Sequence, residues 1–411
     1  MLLGIAGSVF LYNVVDPAQA GVRREARTEA AMTEVRDALI GWSVARTSPT
    51  DGVNARPGEL PCPDINPLDG FEDGNCAAGA IGRVPWRTLG IPEPKDEFGE
   101  TLWYTIAGPF RIWNTNPNPI NSDTKGNLTV YQHSTAAVRT TEAVAIIFAS
   151  GAPLGAQNRD ATVVLCSTTG TSIARNLCAA NYLETAATVN NATIGGPFIN
   201  AQSFGTFNDK LLVITTADLM PPVEMRVGRE VRTALQSYKN LSACACYPWA
   251  DTSDGVSDAP PVEPPTKALN RGRFPTTALP ENWGTGAIPN LPGWVDATNH
   301  GWFERNNWPW VIYYSSGKNF LEGGGVSPAC TSCVDSTLTV DGMAGREVVI
   351  LTPGPAGPSR PPAVPGTDPT FWQYYFEDAQ NQDHQIDMTG NDLYVSPSST
   401  AYPRDRVYTI P

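Results

Sequence analysis

Ten consecutive residues, Asp64-Ile65-Asn66-Pro67-Leu68-Asp69-Gly70-Phe71-Glu72-Asp73, gather four carboxylates and an amide around one glycine. Hard oxygen donors at alternating positions suit Ca²⁺, and Asp64, Asn66, Asp69 and Asp73 are the candidate ligands. The spacing is not that of an EF-hand loop and Pro67 interrupts it, so a solvated acidic turn is the other reading. Two further runs of the same kind are Asp251–Asp258 and Glu377–Asp383.

Eight cysteines stand in close pairs: Cys62 and Cys76, Cys166 and Cys178, Cys244 and Cys246, Cys330 and Cys333. An even count in a chain with an exported character reads as disulfides. The first two pairs close short loops and act as local staples, worth roughly 2–3 kcal/mol each. A zinc site from the last four needs them to converge tetrahedrally, and Cys-x-Cys is a cramped half-site for that.

Nucleophilic catalysis finds little support. The chain has three histidines, His133, His300 and His384, each in a polar, loop-like setting. Neither Gly-x-Ser-x-Gly nor His-Glu-x-x-His occurs, and Gly323-Gly324-Gly325 lacks the lysine of a phosphate loop. Trp302-Phe303-Glu304-Arg305-Asn306-Asn307-Trp308-Pro309-Trp310 reads either as a carbohydrate-stacking platform or as core; Trp310 abuts an expected strand, which favours core. The chain reads as a non-enzyme.

The elements that carry these residues begin with Met1–Val15, a run without a charged side chain. From Gly21 to Ala45, Val22, Ala26, Ala31, Val35, Leu39 and Trp42 recur at helical spacing among charged residues. This predicts an apolar segment running into an amphipathic helix over residues 1–45. Burying Leu2, Leu3, Ile5, Val9, Phe10 and Leu11 yields on the order of 10–18 kcal/mol, against an association cost of about 4–15 kcal/mol. Val14 and Val15 extend the same surface. Fifteen residues fall short of the roughly 20 that a spanning helix needs, so either further residues lie upstream or the segment sits in a protein bundle rather than across a bilayer. Ala18-Gln19-Ala20 also fits a cleavage site, which would make residues 1–20 an export signal; no Lys or Arg precedes the apolar run.

Composition narrows the partners. Asp plus Glu number 41 against 28 Lys plus Arg, a formal charge of −13 that repels nucleic acid and anionic lipid. Glycine and proline at 37 each point to many turns and long loops rather than a compact helical enzyme.

Past the helix the chain reads Leu60-Pro61-Cys62-Pro63-Asp64, then Gly82-Arg83-Val84-Pro85-Trp86-Arg87-Thr88-Leu89-Gly90-Ile91-Pro92, then Asp96-Glu97-Phe98-Gly99-Glu100-Thr101-Leu102-Trp103-Tyr104. In this order, after an apolar leading segment, these stretches resemble the type IV pilin-like and type II secretion pseudopilin proteins of Gram-negative bacteria. The acidic-aromatic-Gly turn before an aromatic strand is similar to the Asp-Pro-Trp-Gly turn of pseudopilins. Departures are visible: no basic leader precedes residue 1, which is Met, and Ile5 stands where most pilins carry Glu. The resemblance implies a homopolymeric helical filament at the cell surface. It also implies an assembly platform and minor pilins as partners, and transient inner-membrane contact before assembly. Several pseudopilins hold calcium in a loop, which adds to the reading of residues 64–73.

The chain also repeats itself. Leu102–Gly108 returns as Val311–Gly317, and Leu128-Thr129-Val130 as Leu338-Thr339-Val340. Ala145–Phe148 returns as Val348–Leu351, Tyr182-Leu183-Glu184 as Tyr375-Phe376-Glu377, and Asp209-Lys210-Leu211 as Asp405-Arg406-Val407. Five matches in one order at an offset of about 200 indicate duplication. A second helix is expected over residues 217–240, with Val223, Val227, Val231, Ala234 and Tyr238 as its stripe.

Together these readings predict an α+β chain. A long N-terminal apolar/amphipathic helix stalk (residues 1–45) precedes two tandem pilin-like helix-plus-antiparallel-sheet modules, 46–215 and 216–411, the second with a loop over 250–295 and strands over 300–411. The function expected is that of a structural subunit of an extracellular type IV pilus-like filament. The alternatives are a low-copy tip adhesin that binds a surface or carbohydrate, and a secreted protein.

Overall fold

The computed structural model describes residues 17–46, 55–65, 67–112, 116–159, 178–241, 247, 271–274, 301–317, 336–356, 360, 375–382, 391–396 and 405–411. Helix α1 spans Pro17–Ala45. Proline favours the first position of a helix, where its missing N–H is not needed, and it biases the residue before it away from helical geometry. α1 buries Thr28, Met32, Val35 and Leu39, whereas Val22 is 67% exposed and Ala26 is also exposed. Its packed face thus begins a full turn later than the apolar spacing suggested.

The expected fold class is corrected here. The described chain is a mixed α/β protein with several sheets, and not a long N-terminal helix stalk bearing pilin-like modules. Among the described residues no helix is long and apolar enough to cross a membrane. Arg23, Arg24, Glu25, Arg27 and Glu29 charge the early turns of α1. The polymerisation residues Leu2 to Val15 lie outside the described residues.

Two compact units form. One comprises the described residues of Met1–Trp42, Leu60–Asn116 and Gly126–Thr215; the other, those of Ser43–Glu59, Pro117–Lys125 and Thr216–Pro411. The division is therefore not a single cut, since residues 43–46, 55–59 and 117–125 group with the later part of the chain. Asn306 shows how that grouping is held. Its Oδ1 accepts from Arg56 Nη1 at 3.1 Å and from Ile120 N at 2.8 Å, and its carbonyl accepts from Asn121 Nδ2 at 2.8 Å.

The first unit holds β1 (Ile81–Arg83), β2 (Trp103–Ile106), β3 (Leu128–Gln132), β4 (Ser134–Ala149), β5 (Thr185–Ala186), β6 (Val189–Asn190), β7 (Phe198–Asn200) and β8 (Lys210–Thr215). Its main sheet runs β1-β2-β4-β3-β7, with β8 also pairing β4. Residues 143–149 of β4 are buried on both faces, as a central strand requires.

The second unit opens with α2 (Thr216–Leu241), followed by β9 (Arg271–Arg273), β10 (Tyr313–Ser316), β11 (Leu338–Val340), β12 (Met343–Arg346), β13 (Val348–Thr352), β14 (Leu393–Tyr394) and β15 (Arg406–Ile410). Its sheets run β15-β13-β10-β9 and β12-β11-β14. β10 starts later than expected because Trp308–Val311 forms a helical turn.

Laid side by side, the units share a plan. The antiparallel series β1-β2-β4-β8 corresponds to β9-β10-β13-β15, and the parallel pair β3–β7 corresponds to β11–β14. Phe148 faces Leu211 in the first sheet and Leu351 faces Val407 in the second. One sequence match slips by a residue. Trp103 pairs with Phe148, and the equivalent partner of Leu351 is Tyr313 rather than Ile312. In a strand such a slip exchanges the two faces, so only the sheet register could correct it.

In α2, Val223, Val227, Val231 and Ala234 are fully buried, and the helix packs on β13 and β15. Gly228 lets it approach: a Cβ there would fall on the Tyr408 ring. Replacing Gly228 by valine should cost about 1–3 kcal/mol through overpacking. Adding Tyr408→Ala should recover part of that loss in urea denaturation, a coupling that a propensity effect alone would not produce.

Candidate functional site

The acidic loop is closed by the disulfide Cys62–Cys76, with Cα atoms 5.7 Å apart. Inside it, each carboxylate accepts from a nearby backbone amide. Asp64 Oδ2 takes Gly70 N at 2.8 Å, Asp73 Oδ2 takes Ile65 N at 2.6 Å, and Asp69 Oδ1 takes Phe71 N at 2.9 Å. Glu72 Oε2 takes Cys62 N at 3.0 Å. Burial pushes the Asp64 carboxyl up to about 6, helped by the nearby Asp69 and Asp73. Among the described residues no group of three or more His, Cys, Asp or Glu is arranged to hold a metal. In the described loop these carboxylate oxygens cap backbone amides and so hold a tight turn. Asn66 and residues 251–258 lie outside the described residues.

Cys178 is buried and disulfide-bonded. Cys166, Cys244, Cys246, Cys330 and Cys333 lie outside the described residues, as do His300 and His384. His133 sits at the β3–β4 turn with φ 65°, exposed beside Gln132. The tryptophan-rich stretch is core: Trp302, Phe303 and Trp308 are each at most 3% exposed, and Phe303 meets Phe274 edge-on. The carbohydrate-platform reading loses these rings.

Three clusters escaped the sequence. The first is a stack on the sheet of the first unit. The Arg83 guanidinium lies 4.2 Å from the ring centroids of both Trp103 and Tyr182, and the Arg159 guanidinium lies 4.5 Å from the Tyr182 centroid. Burial pulls the Arg83 pKa down, against the pull of Tyr182 and Glu100. Beside this stack, Asp96 receives Phe98 N at 2.8 Å and Glu100 N at 3.0 Å on one oxygen, and Gly151 N at 3.0 Å on the other. Asp96 also borders a cleft of about 280 Å³ with Glu25, Thr28, Asn208 and Lys210. Both Asp96 oxygens thus accept backbone amides, and Lys210 pairs with Glu25 at 3.0 Å.

The second cluster occurs twice. Asn191 donates to Ile199 O at 3.1 Å, accepts from Ile199 N at 2.8 Å, and donates to Asp209 Oδ2 at 2.9 Å. Asn381 donates to Val395 O at 2.9 Å, accepts from Val395 N at 3.1 Å, and donates to Asp405 Oδ2 at 3.1 Å. Each aspartate also takes a backbone N–H, from Glu184 at 2.9 Å and from Glu377 at 3.0 Å. Burial, then the neighbouring Glu184, pushes the Asp209 carboxyl well above the usual range. These clamps fasten one stretch of chain to another through buried side chains. Sequence matching finds Glu184, Glu377, Asp209 and Asp405 but misses the asparagines, because the intervening loops differ in length.

The third is Glu224, fully buried on α2 and faced by Ser122, Arg360, Arg406 and Asp123. Tyr375 Oη donates to Asp123 Oδ2 at 2.6 Å, and Arg360 lies 3.5 Å from Asp123 Oδ1. Burial lifts the Glu224 carboxyl to about 7. The opposed charges balance inside one unit, which is the arrangement of a structural polar core. No family model, no curated protein and no solved structure matches this chain.

Proposed function

We propose that this chain is a structural, non-catalytic subunit of an extracellular filament of the type IV pilus kind, on the surface of a Gram-negative bacterium. Copies join through the apolar residues Leu2, Leu3, Ile5, Val9, Phe10, Leu11, Val14 and Val15. The observation that carries this reading is the uncharged run Met1–Val15, leading directly into α1, whose Val22–Arg27 stretch buries none of its side chains. Apolar surface of that extent calls for a partner. The resemblance of residues 60–104 to pilin-like proteins supports the same reading. So does the use of buried polar side chains as clamps on backbone rather than as a catalytic set. An assembly platform and minor pilins are the further partners it entails.

Electron microscopy of material sheared from cells tests it: labelled, uniform filaments are expected. Deleting residues 1–15 should turn the assembled protein into a monomer by sedimentation velocity, with circular dichroism unchanged. Assembly that persists without those residues overturns the proposal, and labelling confined to scarce tips turns it toward a low-copy adhesin.

A further inference from the structure

We infer that Arg23, Arg24 and Arg27 form a docking surface for the acidic exterior of a second copy of this chain. This inference rests on the filament reading and adds to it a place and a chemistry of contact. In α1, the residues from Val22 to Arg27 are all exposed, and the first buried side chain is Thr28. At 3.6 residues per turn the three arginines share an arc of about 100°, centred roughly 100° from the face formed by Thr28, Met32, Val35 and Leu39. They therefore lie exposed along one flank of α1, beside its packed face.

Glu25 falls on the opposite flank, where Lys210 Nζ holds it at 3.0 Å. None of the three arginines is ion-paired among the described residues. This basic strip belongs to a chain of formal charge −13. Copies of so acidic a protein repel one another on close approach, and a concentrated positive face is what orients and offsets that approach. An anionic membrane offers negative charge too, but the remaining acidic exterior is repelled by it at the same range. A second copy meets the strip with acid and brings its own strip in return.

The test uses the full-length chain in sedimentation velocity at 50 and 500 mM NaCl, with R23Q/R24Q/R27Q and, as a control, R139Q/R229Q at two exposed arginines elsewhere. Salt should weaken assembly of the unaltered chain roughly tenfold, as screening of several surface charges does. The triple variant should weaken it by a similar factor at low salt and lose most of its salt dependence. Its melting temperature should not move, because the three side chains bury nothing. If the triple variant assembles like the parent, or if the control loses as much, the docking inference is overturned while the filament reading stands. Loss of binding to phosphatidylglycerol vesicles with assembly intact overturns it in favour of lipid. A parent chain that fails to assemble at either salt concentration overturns the filament reading itself.

Discussion

Asn191→Ala should destabilise the first unit by about 3–4 kcal/mol, and Asn381→Ala should do the same to the second. Each asparagine is fully buried and holds both backbone groups of one residue, Ile199 or Val395. Alanine leaves that N–H and that C=O without their partner, at roughly 1–3 kcal/mol apiece. It also removes the donor that the buried carboxylate of Asp209 or Asp405 accepts from. Urea denaturation with a probe in each unit would read the loss. Equal effects in the two units would support the equivalence of the clamps. A change below about 0.5 kcal/mol, the range of ordinary surface substitutions, would show that neighbouring groups make up for the lost bonds.

Stability should also depend on pH in an unusual direction. The Glu224 carboxyl rises from 4.5 to about 7 on folding because burial disfavours its charged form, with Ser122, Arg360 and Arg406 pulling the other way. The folded protein therefore binds the proton more tightly than the unfolded chain does. The stability this provides is fully present below pH 4.5 and is lost as pH rises through 7. By linkage it is worth on the order of 3 kcal/mol. Asp64, Asp96, Asp209 and Asp405 are likewise raised by burial, so their contributions have the same sign. Glu224→Gln isolates one group. Between pH 5 and pH 8 the unaltered chain should lose about 2.5 kcal/mol more than the variant in urea denaturation. Parallel profiles would mean that the Glu224 carboxyl remains ionised when folded.

Residues close together in the chain determined much of this protein by themselves. Apolar spacing located the helix seen as Thr216–Leu241, and proximity in sequence paired Cys62 with Cys76. The order of short matching segments exposed a duplicated sheet. These are local signals, set by periodicity and loop length.

Tertiary structure alone decided which distant groups meet. It set the register that equates Trp103 with Tyr313, and it placed Asn191 and Asn381 under strands reached through loops of unlike length. It drew residues 43–46, 55–59 and 117–125 into the second unit. It also turned the acidic oxygens of residues 64–73 onto their own amides. Which amide each oxygen meets, two to ten residues away, is set by how the loop closes and not by the order of its residue types.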